Sequence, residues 1–316
     1  MKDRIYNPVK NARLLSDRIV RFFESTEIDR ISSSTNSTNA QLALDQVKIA
    51  EDFILGVPTP DEDLREFIEQ VTFCLPLAEV YLFGGIIRDL ALFGRKGFSS
   101  DVDLVVDGKL DGIEDFLYKH GAKKNKFGGY RLEVGRDTET KSFSKCWEVD
   151  IWEAKNTWAI KQGHVSYVDI TSLLQTTITN WDSVLMDWRT KEVITSENYF
   201  DDIKELYLDI ILANNPNKLG MAVRVFRYLT IKKAKKFSYE VLRYLVAVSS
   251  CYSYEQLLTA ENNSYRENSI SIEMYKFFSS FQEVDQSSLL EKFHELFYQT
   301  DNSLNQVISG QEELFK

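Results

Sequence analysis

The sequence is poor in the residues that staple or metallate a fold. Cys74, Cys146 and Cys251 are its three cysteines, widely separated, and its three histidines form no cluster. That spacing favours buried free thiols over disulfides or a zinc site. Long apolar runs are missing too. No stretch approaches the roughly 20 residues needed to cross a bilayer, and Met1 to Asn7 carries no secretory apolar region, so the expected location is cytoplasmic, with no insertion into a membrane. The low count of five prolines, with 43% hydrophobic and 27% charged residues over 316 positions, argues against wholesale disorder and for a substantial core in two or three units. Positive charge is outnumbered, with 38 Lys and Arg against 48 Asp and Glu. A protein that grips a long nucleic acid through its phosphates needs a broad basic surface, and a net charge of −10 does not supply one.

Against these absences stands one dense stretch. Tyr81-Leu82-Phe83 runs into Gly84-Gly85 and then into the amphipathic Ile86 to Phe93, which predicts strand, tight turn and helix. Such a turn leaves backbone N–H groups at a helix start free to face an anion, and a triphosphate suits it. Downstream, Ser99-Ser100-Asp101-Val102-Asp103-Leu104-Val105-Val106 predicts a strand. Strand side chains alternate, so Asp101 and Asp103 project from one face toward one point, where two carboxylates invite Mg2+. A third acid is expected on a neighbouring strand, and Trp147 to Glu153 supplies Asp150 in an apolar, aromatic context. Glu148 shares the face of Asp150, whereas Glu153 lies on the other. For Arg88 and Asp89, on the helix after the turn, pairing with the body of the domain is the better reading than contact with substrate.

In these motifs the sequence resembles the polymerase β nucleotidyltransferase superfamily, and within it the head domain of CCA-adding enzymes and bacterial poly(A) polymerases. The Gly-Gly-x-x-Arg-Asp helix start of that family corresponds to Gly84 to Asp89, its Asp-x-Asp strand to Asp101 to Asp103, its following hairpin to Lys126 to Arg131, and its third acid to Asp150. A later strand pair and arginine-bearing helix correspond to Ser183 to Asp187 and Arg224 to Tyr228, so the resemblance spans roughly residues 78 to 230. It implies an α+β fold with a mixed sheet and flanking helices. It further implies two Mg2+ ions, with Mn2+ as a substitute, held by Asp101, Asp103 and Asp150, and a nucleoside or deoxynucleoside triphosphate approached by Gly84 and Gly85. Ser99 or Ser100 adds a candidate phosphate contact. Arg224 and Arg227 lie one turn apart on a predicted helix, where contact with base or triphosphate and ion pairing to domain acids are equal readings. For the four lysines of Ile231 to Lys236, a grip on a short primer or on triphosphate oxygens competes with a solvated helix end.

Departures from the family narrow what is carried over. CCA-adding enzymes read cytosine and adenine with a Glu-Asp-x-x-Arg pattern, but Asn217-Lys218-Leu219-Gly220-Met221 occupies that place here. The Arg-x-Asp-Phe-Thr-x-Asn-Ala segment is only faintly echoed in Thr176 to Asp182. Three functions are therefore weighed. The first is a template-independent enzyme extending a short nucleic-acid or hydroxyl primer into oligonucleotides, with adenine favoured. Its architecture resembles the nucleotidyltransferase of Hailong-type anti-phage systems, whose products act on a membrane effector. The second is a tRNA 3′-end enzyme, and the third a nucleotide-transferring toxin or an inactive nucleotide-binding module.

The rest of the chain reads as flanking structure in three parts. Residues 1–75 form a helical extension with stripes through Leu14, Ile19, Val20, Phe22 and Phe23 and through Ile54, Leu64 and Phe67, interrupted by the polar Ser32 to Asn39. Residues 76–200 hold the mixed α/β catalytic part, and 201–316 are helical to the end, with no internal repeat.

Overall fold

The computed structural model describes residues 6–32, 62–94, 100–135 and 147–281. The chain divides into two compact units, Met1–Pro216 and Asn217–Lys316. The first is α+β. Its elements run α1 (Ala12–Ser32), α2 (Glu62–Cys74), β1 (Glu79–Phe83), α3 (Gly85–Phe93), β2 (Val102–Asp107), α4 (Glu114–Lys119), β3 (Lys123–Lys124), β4 (Tyr130–Val134), β5 (Trp147–Glu153), α5 (Trp158–Lys161), β6 (Val184–Asp187), β7 (Val193–Thr195) and α6 (Tyr199–Glu205). Among the described residues seven strands form one sheet in the order β3-β4-β5-β2-β1-β6-β7. β2 and β5 pair in parallel and the other neighbours antiparallel. The sheet is mixed.

Alternation gives this sheet two chemically different faces. Leu82, Leu104, Val149 and Ile151 share one, are fully buried, and belong to a layer in which Phe22 of α1 meets Trp147 of β5 edge-to-face at 6.1 Å. α3 packs against β1, β2 and β6 with Ile86, Ile87, Leu90 and Ala91 completely excluded from water. Arg18 of α1 donates to Leu90 O at 2.9 Å and Asn7 O at 2.7 Å, placing a cation at the carbonyl end of α3. The opposite face is apolar toward β1 and β6, where Tyr81, Phe83, Val105 and Leu185 pack under Ile170 and Leu173. Toward β4 and β5 the same face turns charged.

The helical stripes shift by one residue in places. Leu15, not Leu14, is the buried partner of Ile19, Phe22 and Phe23 on α1, while Leu64 and Phe67 of α2 are buried as the periodicity requires. Ile54 and 33–39 lie outside the described residues. Cys74 and Cys251 are free but exposed, contrary to the burial expected of them, because each closes its helix at a solvent-facing end. Cys146 lies outside the described residues.

The second unit, taken by itself, is built from α7 (Lys218–Thr230), α8 (Tyr239–Cys251), α9 (Tyr254–Tyr265) and α10 (Ile272–Ser279). Each starts on a side-chain cap: Asn217, Ser238, Ser253 and Ser271 accept from backbone N–H groups of the first turn, satisfying donors that the helix itself cannot. Phe226, Leu242, Leu245 and Phe278 fill its core. Among the described residues, no helix in either unit is long and apolar enough to cross a membrane.

Candidate active site

The turn after β1 brings the Gly-Gly pair to the end of the sheet where β2 begins. Gly84 adopts φ 62° and ψ −111°, a conformation that excludes side chains, and its N–H donates to Val184 O at 3.0 Å. The first backbone bond of α3 joins Arg88 N to Gly84 O at 2.9 Å, so the N–H groups of Gly85, Ile86 and Ile87 have no partner within the helix. A Cβ on Gly85 would sit 3.2 Å from both Cβ and Oγ of Ser100. The turn therefore lies against the residue that precedes Asp101.

A buried polar network fixes that contact. Arg88 Nε donates to Asp89 Oδ1 at 2.9 Å, Arg88 Nη1 pairs with Asp182, and Arg88 Nη2 donates to Ser100 Oγ at 2.8 Å. Ser100 Oγ in turn donates to Asp89 Oδ2 at 2.8 Å. Arg88, Asp89 and Asp182 are all buried, so each charge is compensated inside the domain. Arg88 and Asp89 thus pair within the domain body. The single proton of the Ser100 hydroxyl is committed to Asp89, and Ser99 lies outside the described residues.

Register places the acids. Phe83, Asp103, Asp150 and Arg131 form one row across β1, β2, β5 and β4, each the Cα partner of the next, so their side chains leave the same face. Asp101 immediately precedes β2 and is exposed, whereas Asp103 and Asp150 are half-buried. The hairpin before Arg131 is held by Asn125, whose Oδ1 accepts from Phe127 N at 2.9 Å and Gly129 N at 3.1 Å. Gly129 is required there: a Cβ would come within 2.8 Å of Ile151 O and Trp152 Cβ.

Arg131 closes the arrangement, and its part was not foreseen. Its Nε lies 3.0 Å from Asp150 Oδ1 and its Nη2 2.6 Å from Asp150 Oδ2, a two-pronged pair. The same guanidinium reaches Asp101 Oδ2 at 3.8 Å and Glu148 Oε2 at 3.7 Å. Hydrogen bonding to Asp150, reinforced by charge from Asp150, Asp101 and Glu148, drives Arg131 further into its charged form despite some desolvation. Glu153 is engaged elsewhere, accepting from Leu110 N at 3.0 Å and Asn156 Nδ2 at 2.6 Å.

The donor chemistry here is carboxylate oxygen alone, which suits a hard cation such as Mg2+ or Mn2+ rather than zinc. Among the described residues, no three His, Cys, Asp or Glu side chains are drawn together into a finished cation site. A guanidinium lies among the carboxylates.

The arginines of α7 belong to the second unit. Arg224 is half-buried. Arg227 donates from Nη1 to Glu261 Oε1 at 2.8 Å and from Nη2 to Glu267 Oε2 at 2.9 Å, and it stacks on Tyr265 at 3.9 Å. In the lysine run, Lys232 is buried and Lys233 takes φ 50°, so the segment leaves the helix rather than extending it.

No protein-family model matches the chain, and no curated protein does. Solved structures resemble it weakly. A tRNA-processing enzyme in its apo form I is 16% identical, with a TM-score of 0.47 over 76% of this chain and 66% of that one. A tRNA nucleotidyltransferase complexed with a primer tRNA and an incoming ATP analogue is 15% identical, TM-score 0.46, over 74% of this chain and 71% of that one. The Thermotoga maritima CCA-adding enzyme complexed with tRNA is 15% identical, TM-score 0.44, over 73% and 50%. The chain thus spans between half and about 70% of these proteins, and likenesses this slight transfer no activity.

Proposed function

We propose that the protein is a metal-dependent, template-independent nucleotidyltransferase that joins nucleotides, adenine nucleotides in preference, into short oligonucleotides. One observation carries this reading: Asp103 and Asp150 are register partners on adjacent parallel strands, with Asp101 two residues before Asp103 and the Gly84-Gly85 turn packed against Ser100. In this reading the three acids and the start of α3 work together at one end of the central strands β1, β2 and β5.

In the proposed reaction the oxygen of a primer hydroxyl forms a bond to the α-phosphorus of the incoming triphosphate. The bond to the leaving pyrophosphate breaks, and the hydroxyl proton passes to solvent. Asp101, Asp103 and Asp150 are the residues that would hold the Mg2+ ions, with Asp150 proposed to serve the attacking hydroxyl. Bound there, the ions supply neutralisation of charge growing on the α-phosphate and a lower pKa for the attacking hydroxyl. Gly84 and Gly85 admit the β and γ phosphates to the backbone N–H groups of the α3 start, with no side chain in the way. Short products fit a chain with net charge −10 better than a long polyanionic substrate does. A signal of this kind in phage defence, read by a membrane effector, is the biological setting that fits.

The test is direct. Purified protein is incubated with Mg2+ and each labelled NTP or dNTP, with and without tRNA, and the products are resolved on a gel. Laddering without tRNA supports the proposal. Addition confined to tRNA 3′ ends favours the tRNA-processing reading, and no incorporation of any nucleotide overturns both.

A further inference from the structure

We infer that Arg131 is a built-in counter-ion that occupies the carboxylate cluster before any divalent cation does, and that cation binding requires it to let go of Asp150. This deepens the metal-dependent reading above and rests on it.

The geometry supports a competition rather than a coexistence. A carboxylate whose two oxygens accept from Arg131 Nε and Nη2, at 3.0 and 2.6 Å, has its best lone pairs already directed at a cation. Asp101 and Glu148 lie within 3.8 Å of the same guanidinium, so it faces three carboxylates at once. A dication entering this cluster meets a positive charge a few ångströms away and must also break the two-pronged pair. Neither obstacle is large. The Arg131 side chain is 55% exposed, so water screens the repulsion and weakens the pair. The exchange is therefore easy to reverse, as a turnover cycle needs.

Arg131 also has somewhere to go. It is a cross-strand neighbour on the antiparallel β4–β5 pair, with its backbone set by register and a long side chain that has solvent beside it. Triphosphate oxygens are the chemical equivalent of the carboxylate it gives up. Cation and nucleotide then bind with mutual help, because the nucleotide supplies Arg131 with a replacement partner when the cation takes Asp150. The same pair holds the Asp150 carboxylate in one orientation beside Asp103 while no cation is present. Arg131 is thus a positioning residue.

The experiment titrates the full chain with Mn2+ alone, followed by electron paramagnetic resonance of the free ion, for the native protein, Arg131→Ala and Arg131→Lys. Arg131→Ala is expected to bind Mn2+ on the order of tenfold more tightly than the native protein. Arg131→Lys, which keeps the charge and loses the fork, falls between them and controls for folding. Thermal unfolding gives a second readout: Mn2+ raises the midpoint more in Arg131→Ala than in the native protein. Equal or weaker binding by Arg131→Ala, with the native protein still binding Mn2+, overturns the inference and leaves the metal reading standing. Failure of both proteins to bind Mn2+ removes the metal reading and the inference together.

Discussion

Arg131 on β4 stands directly across from Asp150 on β5, and its Nη2 lies 2.6 Å from Asp150 Oδ2. The relationship ties a short hairpin to the acid that completes the row with Asp103. Gly129 makes it achievable, since the hairpin approaches β5 so closely that a Cβ would collide with Ile151 O at 2.8 Å. Sheet register thus decides which charges meet, and a one-residue slip of β4 would turn Arg131 to the opposite face.

Asp101→Ala and Asp103→Ala are expected to reduce nucleotidyl transfer by on the order of a thousandfold or more, since each removes a proposed metal ligand. Neither should lower thermal stability. Both substitutions take a negative charge out of a cluster that already holds Glu148 and Asp150, and relief of repulsion offsets the lost contacts. Near-native turnover under saturating Mg2+ in either variant would show that the acids serve another purpose.

Asp150→Asn is expected to bind nucleotide nearly as well as the native protein and to lose catalysis, because its proposed task is at the attacking hydroxyl. Its pair with Arg131 weakens at a cost of about 1 kcal/mol or less, which chemical denaturation can resolve. Should the variant polymerise normally, the third acid lies elsewhere. Glu148, 3.7 Å from Arg131 Nη1, is then the next candidate, since Glu153 already holds Leu110 N and Asn156.

Much of the fold of the first unit was legible because its signals are local. The Gly-Gly turn, the alternation in β2 and the aromatic context of Asp150 each follow from a few consecutive residues. The neighbourhood of β2 and β5 followed from chemistry, through the demand that acids converge. What stayed hidden depends on partners distant in sequence. Arg131 was seen as the end of a hairpin, and only register shows it facing Asp150. Asp182 reads as a loop acid until the fold sets it against Arg88, 94 residues away. Leu14 and Leu15 are both leucines, and helical phase alone decides that the second is buried.

Arg88→Ala is expected to destabilise the protein by about 3–5 kcal/mol, measured by urea unfolding, because it strands two buried carboxylates. Asp89 and Asp182 are 0% and 4% exposed, and Arg88 pairs with both. Ser100 would lose its hydrogen-bond donor as well, loosening the residue against which Gly85 rests. A variant with native stability would mean that the network is dispensable to the fold.

The two arginines of α7 should separate in their effects. Glu261 is fully buried, and it accepts from Arg227 Nη1, from Ser269 N and Oγ, and from Ile270 N. Arg227→Ala removes the cation from that carboxylate and is expected to cost about 3–5 kcal/mol of stability, with activity falling as the folded fraction falls. Arg224 is half-buried one turn earlier on the same helix, where the proposed reading expects contact with base or triphosphate. The expected effect of Arg224→Ala is on selectivity or on the rate of addition. The sequence places Asn217 to Met221 where the resembled family reads cytosine and adenine in alternation, so a single base class and homopolymeric products are expected. A purine offers more stacking area, and an arginine can donate to its ring nitrogens, so adenine is favoured and Arg224→Ala should weaken that preference. Product sequencing with mixed dNTPs or NTPs decides it: ordered addition of two cytosines and one adenine to tRNA would replace the homopolymer reading with a CCA-adding one.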